Sequence, residues 1–253
     1  MSILTPNESP RQLPLTRAAG SLRRPSLIAG STLLAMTVFS VYGVFGPVET
    51  LVTAGDASRT AVDVAASETL FRSGIASLII VVVLDVIVAA ALFEVFASVN
   101  RAVSMIAAWF RLAYSAVFLV AISQLLEVPA VPGDGDRMLL AVDAFARIWD
   151  TGLILFALHL LLIGYLAYRS EFMAKIFGIL LVVAGLGYLT DGFSAVLVPE
   201  LSIGVARFVF VGEVALIFWL LVRGRRMTLG LVGRGYQRPR HETDFRPPGA
   251  SDA

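Results

Sequence analysis

The chain reads as an all-α bundle of membrane-spanning helices, about six in number. Three observations point there. Apolar residues make up 57% of the 253 residues, with a mean hydropathy of +0.82, above the roughly 45–50% apolar content of soluble domains. The excess is gathered into stretches of about 20 residues, the length of helix that crosses a hydrocarbon layer about 30 Å thick. Most of the charges fall between those stretches and in the two ends. Hydrocarbon offers the backbone no hydrogen-bond partner, so such stretches are helices that bond internally. The net charge of +1 says little, whereas its distribution does. With no cysteine in the chain, disulfides, thiolate metal sites and thiol nucleophiles are excluded.

Residues 1–25 are polar, with four prolines and with Arg11, Arg17, Arg23 and Arg24, and read as a disordered basic tail on the cytoplasmic side. The first span covers about 26–47. A cleaved signal peptide is the alternative there, but the apolar run is long and the nearest cleavage-like triplet, Val52-Thr53-Ala54, lies beyond it, which favours a retained anchor. A polar loop follows over 49–72. The second and third spans cover about 73–96 and 105–126, with a short turn holding Arg101 between them. A loop over 127–147 contains Gly133-Asp134-Gly135-Asp136. That run lacks the length and terminal glutamate of an EF-hand, so a flexible loop is the better account.

The fourth and fifth spans, about 149–168 and 176–197, form a hairpin around Arg169-Ser170-Glu171 with Lys175 just beyond. Pro199-Glu200 makes a tight turn into the sixth, about 203–222. Residues 223–253 are rich in Arg, Gly and Pro and read as a second disordered basic tail. The division is therefore a tail over 1–25, a six-helix domain over 26–222 and a tail over 223–253. One face collects the N-terminal tail, Arg101, Arg169, Lys175 and the C-terminal arginines; the other collects Arg59, Arg72, Arg137, Arg147 and Arg207 with most of the loop acids. The positive-inside rule then places both termini in the cytoplasm. An odd number of spans would put one basic tail outside.

Asp85, Arg111, His159, Asp191 and Glu213 all sit within apolar runs. A charge in mid-bilayer costs about 2.5–3.5 kcal/mol on insertion scales, so each needs a partner or a wet cavity. At about 1.5 Å per residue, Asp85, His159 and Glu213 fall at one depth. Arg111 lies about one turn shallower and reaches toward Asp85 or Glu213, while Asp191 sits nearer the outer face. One reading is an acid/base cluster that moves or senses protons or a small solute, with the imidazole as the group that titrates near neutral pH. The other is a structural ion-pair network that sets helix register. A third is an intramembrane lipid-modifying enzyme with His159 as base, but no nucleophile stands paired with a base at readable spacing. No catalytic residue is assigned, and enzyme status is the least supported.

No metal or cofactor is expected. The chain has two histidines, no paired ligand spacing such as HExxH occurs, and separate helices would have to supply every ligand. Gly178, Gly185 and Gly192 recur at intervals of seven and share a helix face, which suits close helix packing. Gly185-Leu186-Gly187 lies within an apolar helix and not after a strand, so it is not a phosphate loop. Tryptophans and tyrosines near span ends suit an aromatic belt. The expected partner is the bilayer. Arg223, Arg225 and Arg226 are placed to contact anionic headgroups, and the tail has neither the aromatic pattern nor a fold for nucleic acid.

Several runs resemble one family. They are Asp56-Ala57-Ser58-Arg59-Thr60, Ser67-Glu68-Thr69-Leu70-Phe71-Arg72, Leu84-Asp85 with Ala90-Ala91-Leu92, and Asn100-Arg101 with Ala108-Trp109-Phe110-Arg111-Leu112. The most specific is Gly164-Tyr165-Leu166-Ala167-Tyr168-Arg169-Ser170, leading into the glycine-rich run 178–189. Over about residues 26–222 the chain resembles the DUF4386 family of prokaryotic membrane proteins. That resemblance implies a polytopic membrane protein and supplies no substrate. One departure is Met173-Ala174 where the family pattern has Ile-Pro, which makes the hairpin turn less rigid.

Overall fold

The computed structural model describes residues 22–197 and 211–222. The expectations for residues 1–21, Pro199-Glu200, Arg207, Arg223, Arg225, Arg226 and the rest of the C-terminal tail lie outside them. Every regular element among the described residues is helical. We number them α1 (Arg23–Gly43), α2 (Ala57–Ala66), α3 (Glu68–Leu125), α4 (Gly135–Arg169), α5 (Lys175–Leu197) and α6 (Val211–Val222). Among the described residues four stretches are long and apolar enough to cross a membrane: Arg23–Leu51, Glu68–Ala130, Gly135–Arg169 and Lys175–Leu197.

The second of these is two helices in one. A straight α3 of 58 residues would be about 87 Å long. It breaks at Asn100, whose φ of −158° and ψ of 106° are extended, and Asn100 Oδ1 accepts from Val103 N–H at 3.1 Å. That is an N-cap restarting the helix. The two halves, 68–99 and 101–125, fold back on each other: Ser104 Oγ donates to the Phe93 carbonyl at 3.0 Å. The turn read from sequence as eight residues is thus a single one.

Two further differences concern the stretches 49–72 and 127–147. The stretch 49–72, read as a loop, is largely helical, and α4 starts at Gly135, well before the expected span. Both starts use one device. A glycine at positive φ, Gly55 (78°) or Gly133 (82°), turns the chain into an aspartate. Asp56 Oδ1 then accepts from Arg59 N–H at 2.9 Å, and Asp134 Oδ1 from Arg137 N–H at 3.1 Å. Gly135 seats the start of α4 against Ala57, where a Cβ would collide with the Ala57 carbonyl. At the other end, α1 begins at Arg23, so the basic pair lies in its first turn.

α1 continues through a π-turn at Val44–Val48 that contains Pro47. A proline cannot donate to the carbonyl one turn back, and the wider turn passes on the bonding, with Glu49 N–H donating to the Val44 carbonyl. Pro47 packs into Gly74 of α3, where a Cβ would lie 2.6 Å from its ring. Ser77 Oγ donates to the Phe39 carbonyl at 2.8 Å, and the Tyr42 and Ser73 hydroxyls pair at 2.7 Å. These contacts pin the outer half of α1.

The tightest crossing is α4 on α5. A Cβ on Gly178 would stand 2.7 Å from the Gly164 carbonyl, and one on Gly164 would stand 2.9 Å from the Gly178 carbonyl. Gly185 meets the Ala157 carbonyl and Leu161, and Gly192 meets Ile154. The three glycines spaced by seven therefore all lie against α4.

Candidate functional site

Asp85, Arg111 and His159 each fall on the buried stripe of their helix: Val81, Asp85 and Val88; Ala107, Arg111 and Tyr114; Phe156, His159 and Ile163. Helical spacing of i, i+3 and i+4 puts them on the inner face, and the fold-back at Asn100 brings the first two opposite each other. Arg111 Nε donates to Asp85 Oδ1 at 2.7 Å, and Arg111 Nη2 pairs with the same oxygen. Asp85 Oδ2 accepts from the Ser115 hydroxyl at 2.8 Å. Arg111 Nη1 lies 3.1 Å from His159 Nε2, and His159 Nδ1 lies 2.8 Å from the Ala107 carbonyl. Arg111 Nη2 also reaches Met36 Sδ of α1 at 3.7 Å.

This bonding defines the protonation state. A guanidinium only donates and a carbonyl only accepts. Nε2 of His159 is therefore the acceptor and Nδ1 carries the hydrogen, in a neutral imidazole. Asp85 accepts at both oxygens, as a carboxylate does. The group holds one negative charge, one positive charge and a neutral ring. Asp85, Arg111 and His159 are each at most 2% exposed, and low dielectric makes a balanced, fully bonded group far cheaper than an unpaired charge.

Aromatic rings bracket the group. Phe156 lies under the guanidinium at 5.4 Å and beside the imidazole at 5.9 Å. Tyr114, Phe118, Trp149 and Tyr188 continue from it, with Trp149 Nε1–H donating to the Tyr114 hydroxyl at 3.0 Å. At the end nearer the α4–α5 turn, Phe96, Phe172, Phe177 and Trp219 form a second cluster.

Asp191 is not in the group. Gly192 beside it packs on Ile154, whereas Gly185 packs near Ala157 and Leu161, so Asp191 lies about 9 Å further along α5, beside Asp150. The backbone of Glu213 lies in α6, and its side chain lies outside the described residues. Sequence reasoning missed Ser115, Met36 and the Ala107 carbonyl. Ser115 had a signal, being four residues after Arg111 on the same face; Met36 had none, because a methionine in an apolar run looks like any core residue.

Among the described residues no group of three His, Asp or Glu stands together to hold a metal. An open hollow of about 610 Å³ lies where the start of α2 meets the start of α4, lined by Ala57, Ser58 and 132–136, away from the ionic group. Outside the apolar helices, Asp56 is held below the usual carboxylate range by the Arg59 N–H and the Ser58 hydroxyl.

Helices of membrane-crossing length, closed around one buried ion pair with an attached imidazole, define the class: a helical protein with the marks of a membrane bundle. The chain belongs to the family described as a domain of unknown function (DUF4386), whose sequence model matches residues 28–224. It is similar to an uncharacterized protein of Archaeoglobus fulgidus, 32% identical over 154 residues, which is 61% of this chain and 85% of that protein. No solved structure matches.

Proposed function

We propose that this chain is a six-crossing protein of the cytoplasmic (inner) membrane of a prokaryote that moves or senses protons or a small solute through the Asp85–Arg111–His159 group, seen here closed. The six crossings are α1, the two halves of α3, α4, α5 and α6. The count is even because α3 folds back, so both termini lie on the cytoplasmic side. Arg101 at the α3 bend, and Arg169 and Lys175 at the α4–α5 turn, then face the cytoplasm together, as the positive-inside rule favours. Arg223, Arg225 and Arg226 meet anionic headgroups there, each worth about 1 kcal/mol.

The observation that carries the functional reading is the imidazole. Asp85, Arg111 and Ser115 already make a closed pair, and a structural clamp gains little from a titratable ring bonded to a buried cation. An intramembrane ionisable group is by default a pointer to a proton or solute path. A second reading, a structural or accessory subunit, is favoured by the burial of the group and the completeness of its bonding. A lipid-modifying enzyme with His159 as base has less support, since both ring nitrogens are engaged.

One variant separates the first two. In proteoliposomes carrying equal amounts of folded protein and loaded with a pH dye, with and without a panel of small solutes, Asp85→Asn should abolish flux. Lower expression or melting temperature with unchanged flux would instead establish the structural reading.

A further inference from the structure

Arg111 uses its two recognition edges very differently. The Nε/Nη2 edge is spent on a carboxylate, Asp85. The Nη1/Nη2 edge, the fork that takes a planar oxyanion through two parallel bonds, holds two neutral acceptors, His159 Nε2 and the Met36 thioether. A thioether is a weak acceptor. Both occupants can leave. Met36 is half-buried, unbranched and adaptable. It lies one turn before Phe39, on the N-terminal side of the hydrogen bonds by which Phe39 and Tyr42 tie α1 to α3. His159 turns from acceptor to donor on taking a proton at Nε2.

Charge balance then specifies the ligand. The resting group is neutral. A monoanion alone would leave one uncompensated negative charge in low dielectric; one proton on His159 Nε2 restores neutrality. The charged groups bonded to this network are Asp85 from the first half of α3 and Arg111 from the second. α1 supplies Met36, and α6 carries Glu213, whose side chain lies outside the described residues. A dianion would need two protons where one imidazole stands, and a spherical halide would not use the fork.

From this we infer that the Nη1/Nη2 edge of Arg111 is the binding site for a small monocarboxylate, which displaces Met36 and brings one proton onto His159 Nε2. The arrangement makes the chain an electroneutral carboxylate–proton carrier or sensor. This inference rests on the reading above and names its solute.

The test uses the full chain in proteoliposomes with labelled L-lactate as probe. An inward proton gradient should drive lactate uptake above that of empty liposomes, and clamping the voltage with potassium and valinomycin should leave it unchanged. His159→Gln should cut proton-driven uptake at least tenfold. Met36→Leu, which removes a competing acceptor and leaves the packing volume nearly the same, should lower the half-saturating lactate concentration about threefold. Uptake equal to that of empty liposomes, uptake that moves charge, or equal competition by chloride would overturn the inference. So would proton dependence lost in Glu213→Gln and kept in His159→Gln. Asp85-dependent proton flux, with or without another solute of the panel and without any response to lactate, would sink this inference and leave the broader reading standing.

Discussion

Breaking the buried pair from one side should cost far more than removing it whole. Asp85→Leu leaves the Arg111 guanidinium with only His159 Nε2 and Met36 Sδ among its present side-chain acceptors. Arg111→Met leaves the Asp85 carboxylate with the Ser115 hydroxyl alone. Either single change strands a charge at a site about 2% exposed, at about 3–5 kcal/mol. The double variant puts two apolar side chains of similar size where the pair stood. It strands no charge and should lie within about 1–2 kcal/mol of the parent. The coupling between the positions should therefore be at least about 3 kcal/mol. The assay is reversible unfolding of the purified full chain in mixed micelles, following the folded fraction against the mole fraction of denaturing detergent for all four proteins. Single variants that each cost under about 1 kcal/mol and simply add would refute the reasoning, because they would mean that the pair is solvated and not enclosed.

Two further outcomes test the surroundings of the site. Gly178→Ala puts a methyl group 2.6 Å from the Tyr168 backbone nitrogen and 2.7 Å from the Gly164 carbonyl, neither of which can swing aside; it should cost about 1–3 kcal/mol, toward the upper end. In the same detergent titration Gly46→Ala, whose nearest neighbour is a Tyr42 ring atom at 3.6 Å, should change little, and equal effects would remove the close-approach account. At the start of α2 the lowered Asp56 carboxyl stabilises the helix fully above its ordinary value of 3.8, and that contribution is lost as pH falls through the lowered one. Exchange of the Arg59 amide, corrected for its intrinsic rate, should therefore speed up at the acid end. Asp56→Asn, which keeps a side-chain acceptor, should flatten the response, and unchanged protection down to pH 2 would count against the cap.

Helical class was legible in the sequence because hydrocarbon leaves the backbone one economical answer, and runs of about 20 apolar residues state it directly. Asp85, Arg111 and His159 stood out for the same reason: a charge inside such a run is costly wherever the run ends up. The glycine spacing on α5 was visible too, since a repeat of seven returns to nearly the same helix face. The outer caps were readable in principle, as Gly-Asp before a polar helical turn at residues 55 and 133, yet polar composition alone made both stretches look like loops.

What the chain's one-dimensional order determined is which groups must find partners; which partners they find was decided in three dimensions. The extended backbone at Asn100 folds α3 on itself and sets Arg111 against Asp85, 26 residues away. The close crossing of α4 and α5, through Gly164 and Gly178, helps hold the helix that carries His159 in place. Asp191, which its depth along the span already set apart from Asp85, meets Asp150 because its turn of α5 packs against α4 there. Neither hydropathy nor spacing carries that information: a helix's periodicity states which face is buried, and only the packing of one backbone on another states what that face meets.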